Sequence, residues 1–253
     1  MDFLQTILEA KLKEVADMPE TAVTRQEDRP SLYHLIRENP EHIHLIAEIK
    51  RASPSKGIIN QEVDILKQAR DYQEAGVSAI SVLTSETYFN GSFTDLNRIS
   101  QVVDLPILCK DFIIDEKQLI RAYNAGASIV LLIVAALTVQ KLKELYDKAR
   151  KLGLEVLVEV HNEKELAAAE ALGAKLIGVN NRDLKTFDVT LETSVALAPH
   201  QSETVYISES GFRTAQDVRK ISSNFQAILV GENLMKATNV TKKALELQVT
   251  RND

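Results

Sequence analysis

From Ile43 onward the chain alternates two rhythms: short continuous apolar runs, and longer stretches whose apolar residues recur every three to four positions. The first suits strands buried on both faces, the second amphipathic helices packed over them. The alternation repeats eight times and predicts strands near 43–50, 78–83, 106–110, 128–133, 154–160, 175–179, 204–208 and 226–230. Helices are expected near 61–75, 94–102, 115–124, 138–150, 163–171, 191–198, 214–222 and 238–248. Gly76, Gly126, Gly153 and Gly173 stand where a helix hands over to the next strand, the place for a left-handed cap. Thr94, Asp115, Thr138 and Thr214 are candidate N-caps. Strict alternation requires parallel strands with right-handed crossovers, and eight units without an interrupting linker close into a (β/α)8 TIM barrel. An open doubly wound sheet is the alternative, but no G-x-G-x-x-G follows the first strand.

Ahead of the barrel, residues 3–16 put Phe3, Leu4, Ile7, Leu8, Leu12 and Val15 on one helical face, and Pro19 stops that helix. A second helix is expected from Ser31, as its N-cap, to Glu38 before Pro40, with polar loop over residues 19–30 between the two. The organisation expected is a helical extension over residues 1–42 packed on a catalytic barrel over 43–253, one domain overall.

At 253 residues the chain should bury about 70–75% of its unfolded surface and needs no covalent staple. Its one cysteine, Cys109, lies in an apolar run, fitting a buried structural thiol and a reducing, cytoplasmic location. No signal core precedes the barrel, and the longest apolar run, Ile129 to Leu137, is short of a membrane span, so a soluble, unprocessed chain is expected. A net charge of -6 argues against a broad basic surface for nucleic acid. The histidines at 34, 42, 44, 161 and 200 are scattered without ligand spacing, so no metal is expected; His161, one strand period after Glu159, reads as a mouth-lining residue or, more readily, as a loop histidine.

Chemistry in such a barrel belongs at the C-terminal ends of the strands. Strand one ends with Glu48 and Lys50, one side-chain period apart, followed by Ser53-Pro54-Ser55-Lys56-Gly57. Later strands end with Lys110, Glu159, Asn180, Glu209 with Ser210-Gly211, and Gly231-Glu232. An isolated pair of this kind is an ordinary strand-end ion pair, but two lysines, three glutamates and an asparagine converging on one mouth must shift one another's pKa. Small residues at 210–211 and 231–235 let backbone N–H groups approach a phosphate, as the seventh and eighth loops of barrels often do. Asp111, Asp183 and Glu232 read as caps or loop salt bridges.

The motifs Leu45-Ile-Ala-Glu-Ile-Lys-Arg-Ala-Ser-Pro-Ser-Lys-Gly57, Cys109-Lys-Asp-Phe112, Val158-Glu-Val-His161, Gly178-Val-Asn-Asn-Arg-Asp-Leu184, Ser208-Glu-Ser-Gly211 and Gly231-Glu-Asn-Leu-Met235 closely resemble indole-3-glycerol-phosphate synthase. So does Tyr88-Phe-Asn-Gly-Ser92, and the likeness runs through nearly the whole chain, including the helical segment before strand one. Ser85 and Thr87 stand where many members carry an acid and a lysine, and Ser128 where an aspartate is usual. The resemblance implies closure of 1-(2-carboxyphenylamino)-1-deoxyribulose 5-phosphate to indole-3-glycerol phosphate with loss of carbon dioxide and water, in tryptophan biosynthesis. It implies no cofactor, a small-molecule substrate, and no nucleic-acid or membrane partner; a monomer is expected.

By position, Lys110 resembles the general acid, Glu159 the base, and Lys50 the cation that neutralises phosphate and carboxylate. Glu48 and Asn180 resemble the groups that hold Lys110 and the developing hydroxyl, with Ser210 beside them in the catalytic set. Ser53, Lys50, Gly211, Gly231 and Glu232 resemble the phosphate site. Phe89, Phe112, Leu131 and Leu184 resemble the anthranilate pocket, while Pro54, Arg182 and Glu209 belong with the substrate pocket. Burial and Lys50 would depress the pKa of Lys110, Glu48 and Glu159 would raise it, and the sequence leaves that balance open. An imine-forming barrel aldolase and a silent phosphate-binding barrel are the rival readings, though the latter should lack an acid or base and none is missing. The chain ends after the eighth helix, so no fused isomerase domain is expected.

Overall fold

The structure, a computed structural model, describes residues 3–25, 29–54, 56–197 and 203–251. Ser55, Ala198 and His200, and part of the 19–30 loop, lie outside the described residues. Eight parallel strands, each hydrogen-bonded to its chain neighbours and the last to the first, form a closed barrel. They are β1 His44–Ile49, β2 Ala79–Leu83, β3 Ile107–Lys110, β4 Ile129–Ile133, β5 Glu155–Val160, β6 Leu176–Asn180, β7 Val205–Glu209 and β8 Ala227–Val230. Each sits within a residue or two of its expected run. Among the described residues, no helix is long and apolar enough to cross a membrane.

The period of two explains how one barrel has both a dry floor and a charged mouth. Interior-facing positions begin apolar and end polar: Ile46 then Glu48, Leu108 then Lys110, Leu157 then Glu159, Ile207 then Glu209. The apolar halves pack together inside the barrel, and the outward faces pack under the helices in a second, larger cluster. The four handover glycines all have positive φ, between 73° and 102°. Asp115, Thr138 and Thr214 cap their helices as expected, but the helix expected from Thr94 is capped by Ser92, whose hydroxyl accepts from the Asp95 amide at 3.0 Å. That helix, Phe93–Ser100, therefore takes Thr94 into its first turn. The first barrel helix is shorter than its pattern, Ile65–Glu74, because Asp64 accepts from the Leu66 and Lys67 amides and starts it there. The helix expected over 214–222 spans Ala215–Arg219.

The extension spans the barrel from mouth to floor. Helix α1, Phe3–Asp17, lies at the mouth, but its buried face is not the one its apolar pattern suggests: Leu12 is 61% exposed and Lys11 only 3%. Lys11 turns inward because Asp111, at the end of β3, meets its ammonium at 2.8 Å, while Glu14 holds it from within the helix. The chain then follows helix Glu116–Asn124 downward, where Arg25 donates to the Tyr123 and Ala127 carbonyls at 3.1 and 2.5 Å and stacks on the Tyr123 ring. Arg29 caps the Val103 and Leu105 carbonyls at 3.1 and 3.2 Å. Helix α2, Leu32–Glu38, pushes Leu32 and Ile36 into the lower end of the barrel. Its N-terminus rests on Glu155, which accepts from the Ser31 hydroxyl at 2.6 Å and the Leu32 and Tyr33 amides at 2.8 and 3.1 Å. Ser128 supports the same end, accepting from the Ile107 amide at 3.0 Å.

Gly91 closes the loop after β2 against the backbone. A Cβ there would lie 2.0 Å from the Leu83 carbonyl oxygen, which cannot swing away as a side-chain tip would. Gly91→Ala should cost about 1–3 kcal/mol of stability, the usual range for forced overpacking, read as a lower urea midpoint; an unchanged midpoint would contradict the close approach.

Candidate active site

Above the apolar floor the strand ends open into a cavity of about 620 Å³. Every residue singled out from the sequence for catalysis, phosphate or the substrate pocket lines it: Glu48, Lys50, Ser53, Pro54, Phe89, Lys110, Phe112, Leu131, Glu159, Asn180, Arg182, Leu184, Glu209, Ser210, Gly211, Gly231 and Glu232. Lys50 and Glu48, two apart on one strand, pair at 2.6 Å, and Ser81 from β2 donates to the other Glu48 oxygen at 3.4 Å. The loop after β1 folds into a two-stranded ribbon, Ala52–Ser53 against Gly57–Ile58, that carries Ser53, Pro54 and Lys56 to the rim.

Lys110 occupies the centre. Its ammonium lies 3.2 Å from Glu159 Oε2 and 3.2 Å from Glu209 Oε2. Burial lowers the pKa of Lys110, but Glu209, Glu159 and Glu48 outweigh it, and the balance left open by the sequence falls well above the ordinary lysine value. Burial likewise opposes ionisation of Glu159, yet Lys110, then His161 and Asn180, hold its pKa far below the usual carboxylate range. Glu209 behaves oppositely, because burial and repulsion from Glu159 outweigh Lys110 and push it up. One ammonium between two carboxylates thus leaves Glu159 ionised and Glu209 inclined to keep a proton. Glu48 is lowered: Lys50 and Lys110 together overcome its burial.

Two glycines make room for these carboxylates. A Cβ on Gly178 would lie 2.1 Å from Glu209 Oε1, and one on Gly231 would lie 2.4 Å from Glu48 Oε1. Neither needs an unusual backbone; each is small so that a charged neighbour can enter the barrel. Asn180 accepts from the Ser210 hydroxyl and the Arg182 amide, both at 3.0 Å. Ser210 (φ 70°) and Gly211 (φ 99°) are consecutive left-handed residues, and the Asn181 side-chain Nδ2 donates to the Ser210 carbonyl at 3.0 Å. Gly231 opens a one-turn helix, Glu232–Met235, whose first residue, Glu232, pairs with Lys236 at its C-cap at 2.6 Å.

Several wall residues went unnoticed in the sequence. Phe3 of α1 packs edge-on to Tyr88 and Phe187, with ring centroids 5.8 and 4.9 Å apart, and Phe187 is held left-handed at φ 62°. Arg213 and Lys236 add positive charge near Gly211 and Gly231. Asp111 and Asp183 are structural, the first bridged to Lys11 and the second accepting from the Lys185 and Thr186 amides at 2.7 and 2.8 Å. Ser85 is buried at the cavity wall, whereas Thr87 is exposed. His161 is not a free loop histidine, for it faces Glu159 at 3.3 Å and Glu165 at 3.2 Å. Among the described residues, no group of three or more His, Cys, Asp and Glu side chains is arranged to hold a metal ion.

The chain is similar to known proteins along nearly its whole length. The family model described as indole-3-glycerol phosphate synthase matches residues 4–247. An indole-3-glycerol phosphate synthase of Listeria monocytogenes (serotype 4a) is 53% identical over 252 residues, covering 99% of this chain and 100% of that protein. One from Streptococcus pneumoniae (strain CGSP14) is 51% identical over 251 residues, covering 99% and 98%. Among solved structures, a 3-hexulose-6-phosphate synthase from Salmonella typhimurium superposes with a TM-score of 0.64 at 14% identity, over 81% of this chain and 96% of that one, a likeness of fold alone.

Proposed function

Because the chain belongs to the indole-3-glycerol phosphate synthase family and so catalyses the carboxy-lyase step of tryptophan biosynthesis, we propose that Lys110 and Glu159 are its acid and base. The observation that carries this reading is the Lys110 ammonium, 3.2 Å from Glu159 and 3.2 Å from Glu209, at the base of a cavity large enough for a sugar phosphate joined to an aromatic ring.

The substrate is 1-(2-carboxyphenylamino)-1-deoxyribulose 5-phosphate. Its carboxylate-bearing ring carbon attacks the ribulose carbonyl carbon, and Lys110, already protonated, delivers a proton to the carbonyl oxygen. The new hydroxyl is stabilised as it forms by Glu48 and Asn180. Carbon dioxide leaves with its bonding electrons returned to the ring, which restores aromaticity. The hydroxyl then leaves as water with a proton from Lys50, while Glu159 takes a proton from the adjacent carbon, which completes the indole double bond. Lys50 balances the carboxylate and phosphate charges and assists dehydration. The phosphate binds to Ser53, Gly211, Gly231 and the Glu232 amide, with Ser210 alongside, while Phe89, Phe112, Leu131 and Leu184 hold the ring in apolar surroundings. Arg182 and Pro54 flank the carboxylate. Such surroundings favour decarboxylation, since a carboxylate is better solvated by water than the neutral gas it becomes.

The direct test is appearance of indole-glycerol phosphate fluorescence when purified protein meets this substrate; its absence would overturn the assignment. Lys50→Met should raise KM by roughly 10- to 100-fold, the value of one hydrogen bond to a charged group. A KM within twofold of the parent would remove Lys50 from the anion site.

A further inference from the structure

His161 sits where β5 turns into helix Glu163–Ala171, with only 12% of its side chain exposed. Its Nε2 faces Glu159 Oε1 at 3.3 Å, and its Nδ1 faces Glu165 Oε2 at 3.2 Å. The same Glu165 oxygen accepts from the His161 amide at 2.8 Å, and Asn162 holds the other at 2.7 Å, so the second carboxylate is fixed from several sides. A neutral imidazole has one N–H and one lone pair, and a lone pair aimed at a carboxylate is repelled. Nε2 meets Glu159 as a charge contact without hydrogen-bond geometry, whereas Nδ1 bonds Glu165, and only the doubly protonated ring is attracted to both neighbours. We propose that His161 is a positioning residue: an imidazolium clamped between Glu159 and Glu165 that keeps the Glu159 carboxylate ionised and turned towards Lys110.

The charges around the ring are consistent with this. Glu159 comes from its own strand and Glu165 from the following helix, while Lys110 stands on the far side of Glu159, on its Oε2. Asn180 from β6 also favours the ionised form of Glu159. The one-turn segment Val134–Ala136, which packs against both β5 and that helix, brings only apolar side chains. Burial disfavours the charged ring, but the two carboxylates overcome it and push the His161 pKa up to about 10. Glu159 is thus held between two cations, so a proton it accepts from substrate is readily released afterwards, and removing one cation should make it protonate at higher pH. The inference rests on Glu159 being the base, and the experiment separates the two.

Imidazole resonances of the free, full-length enzyme should show His161 protonated across about pH 6–8, where an ordinary histidine titrates. A ring that is neutral at neutral pH would overturn the clamp. In His161→Gln the acidic limb of kcat should move up by about 1–3 pH units, with KM little changed and the limb restored in His161→Lys. Glu165→Gln should shift the limb in the same direction. A uniform loss of kcat at every pH, or an unmoved limb in both the Gln variants, would make His161 merely structural and overturn the proposal. If His161→Gln does not fold, the Glu165→Gln limb and the parent's resonances carry the test. Glu159→Gln separates the readings: retained turnover there defeats the base assignment, while the His161 titration still reports whether the clamp exists.

Discussion

Lys110→Met lowers turnover by about 10²–10⁴-fold, the usual worth of a positioned acid, and leaves the barrel folded. Methionine matches the length of the lysine stem, so the strand end stays filled while the ammonium disappears. What remains is three buried carboxylates, Glu48, Glu159 and Glu209, with Lys50 as the neighbouring lysine of the cluster. This has a second signature in stability. In the parent, Glu159 is depressed by Lys110, so its stabilising contribution is present above the unfolded carboxylate pKa and fades as pH falls. In the variant burial is less opposed, the folded pKa rises, and the stabilising balance reverses: it is present at low pH and lost as pH climbs through the raised value. The gap between parent and variant urea midpoints should therefore widen from about pH 5 to pH 8. Near-parental turnover ends the assignment of Lys110 as the acid; a constant gap shows that its carboxylate partners are not ionised.

Glu159→Gln should cost a comparable factor in kcat, again about 10²–10⁴-fold, with KM little affected. The amide keeps the shape of the carboxylate but cannot accept the proton that leaves as the indole closes. The substitution also relieves Glu209, whose pKa is raised partly by repulsion from Glu159, and Glu209 becomes the nearer single partner of Lys110. Loss confined to kcat is the expected result. A rise in KM with unchanged kcat would place Glu159 in binding instead.

The strand pattern, the handover glycines and the polar strand ends were legible because each is local: two-residue alternation, a cap, or a charge inside an apolar run. What escaped depended on a partner far along the chain. Lys11 displaces Leu12 from the buried face of α1 because of Asp111, about a hundred residues on. Gly178 reads as an ordinary strand glycine until Glu209 fills the space beside it. His161 carried a faint signal, since Glu165 follows it at helical spacing, but its contact with Glu159 depends on how β5 gives way to the helix. The direction of the Lys110 shift required knowing how many carboxylates reach it, and three do: Glu209, Glu159 and Glu48.

The graded interior of the strands has a consequence for folding accuracy. Sliding any one of β1, β3, β5 or β7 by a single residue would aim its terminal acid or amine outward, into the greasy layer beneath the helices, and strip it of every counter-ion. Misaligned barrels are thereby made far costlier than a swap among aliphatic side chains would be. The ionisable crown works as a key that admits only the native alignment.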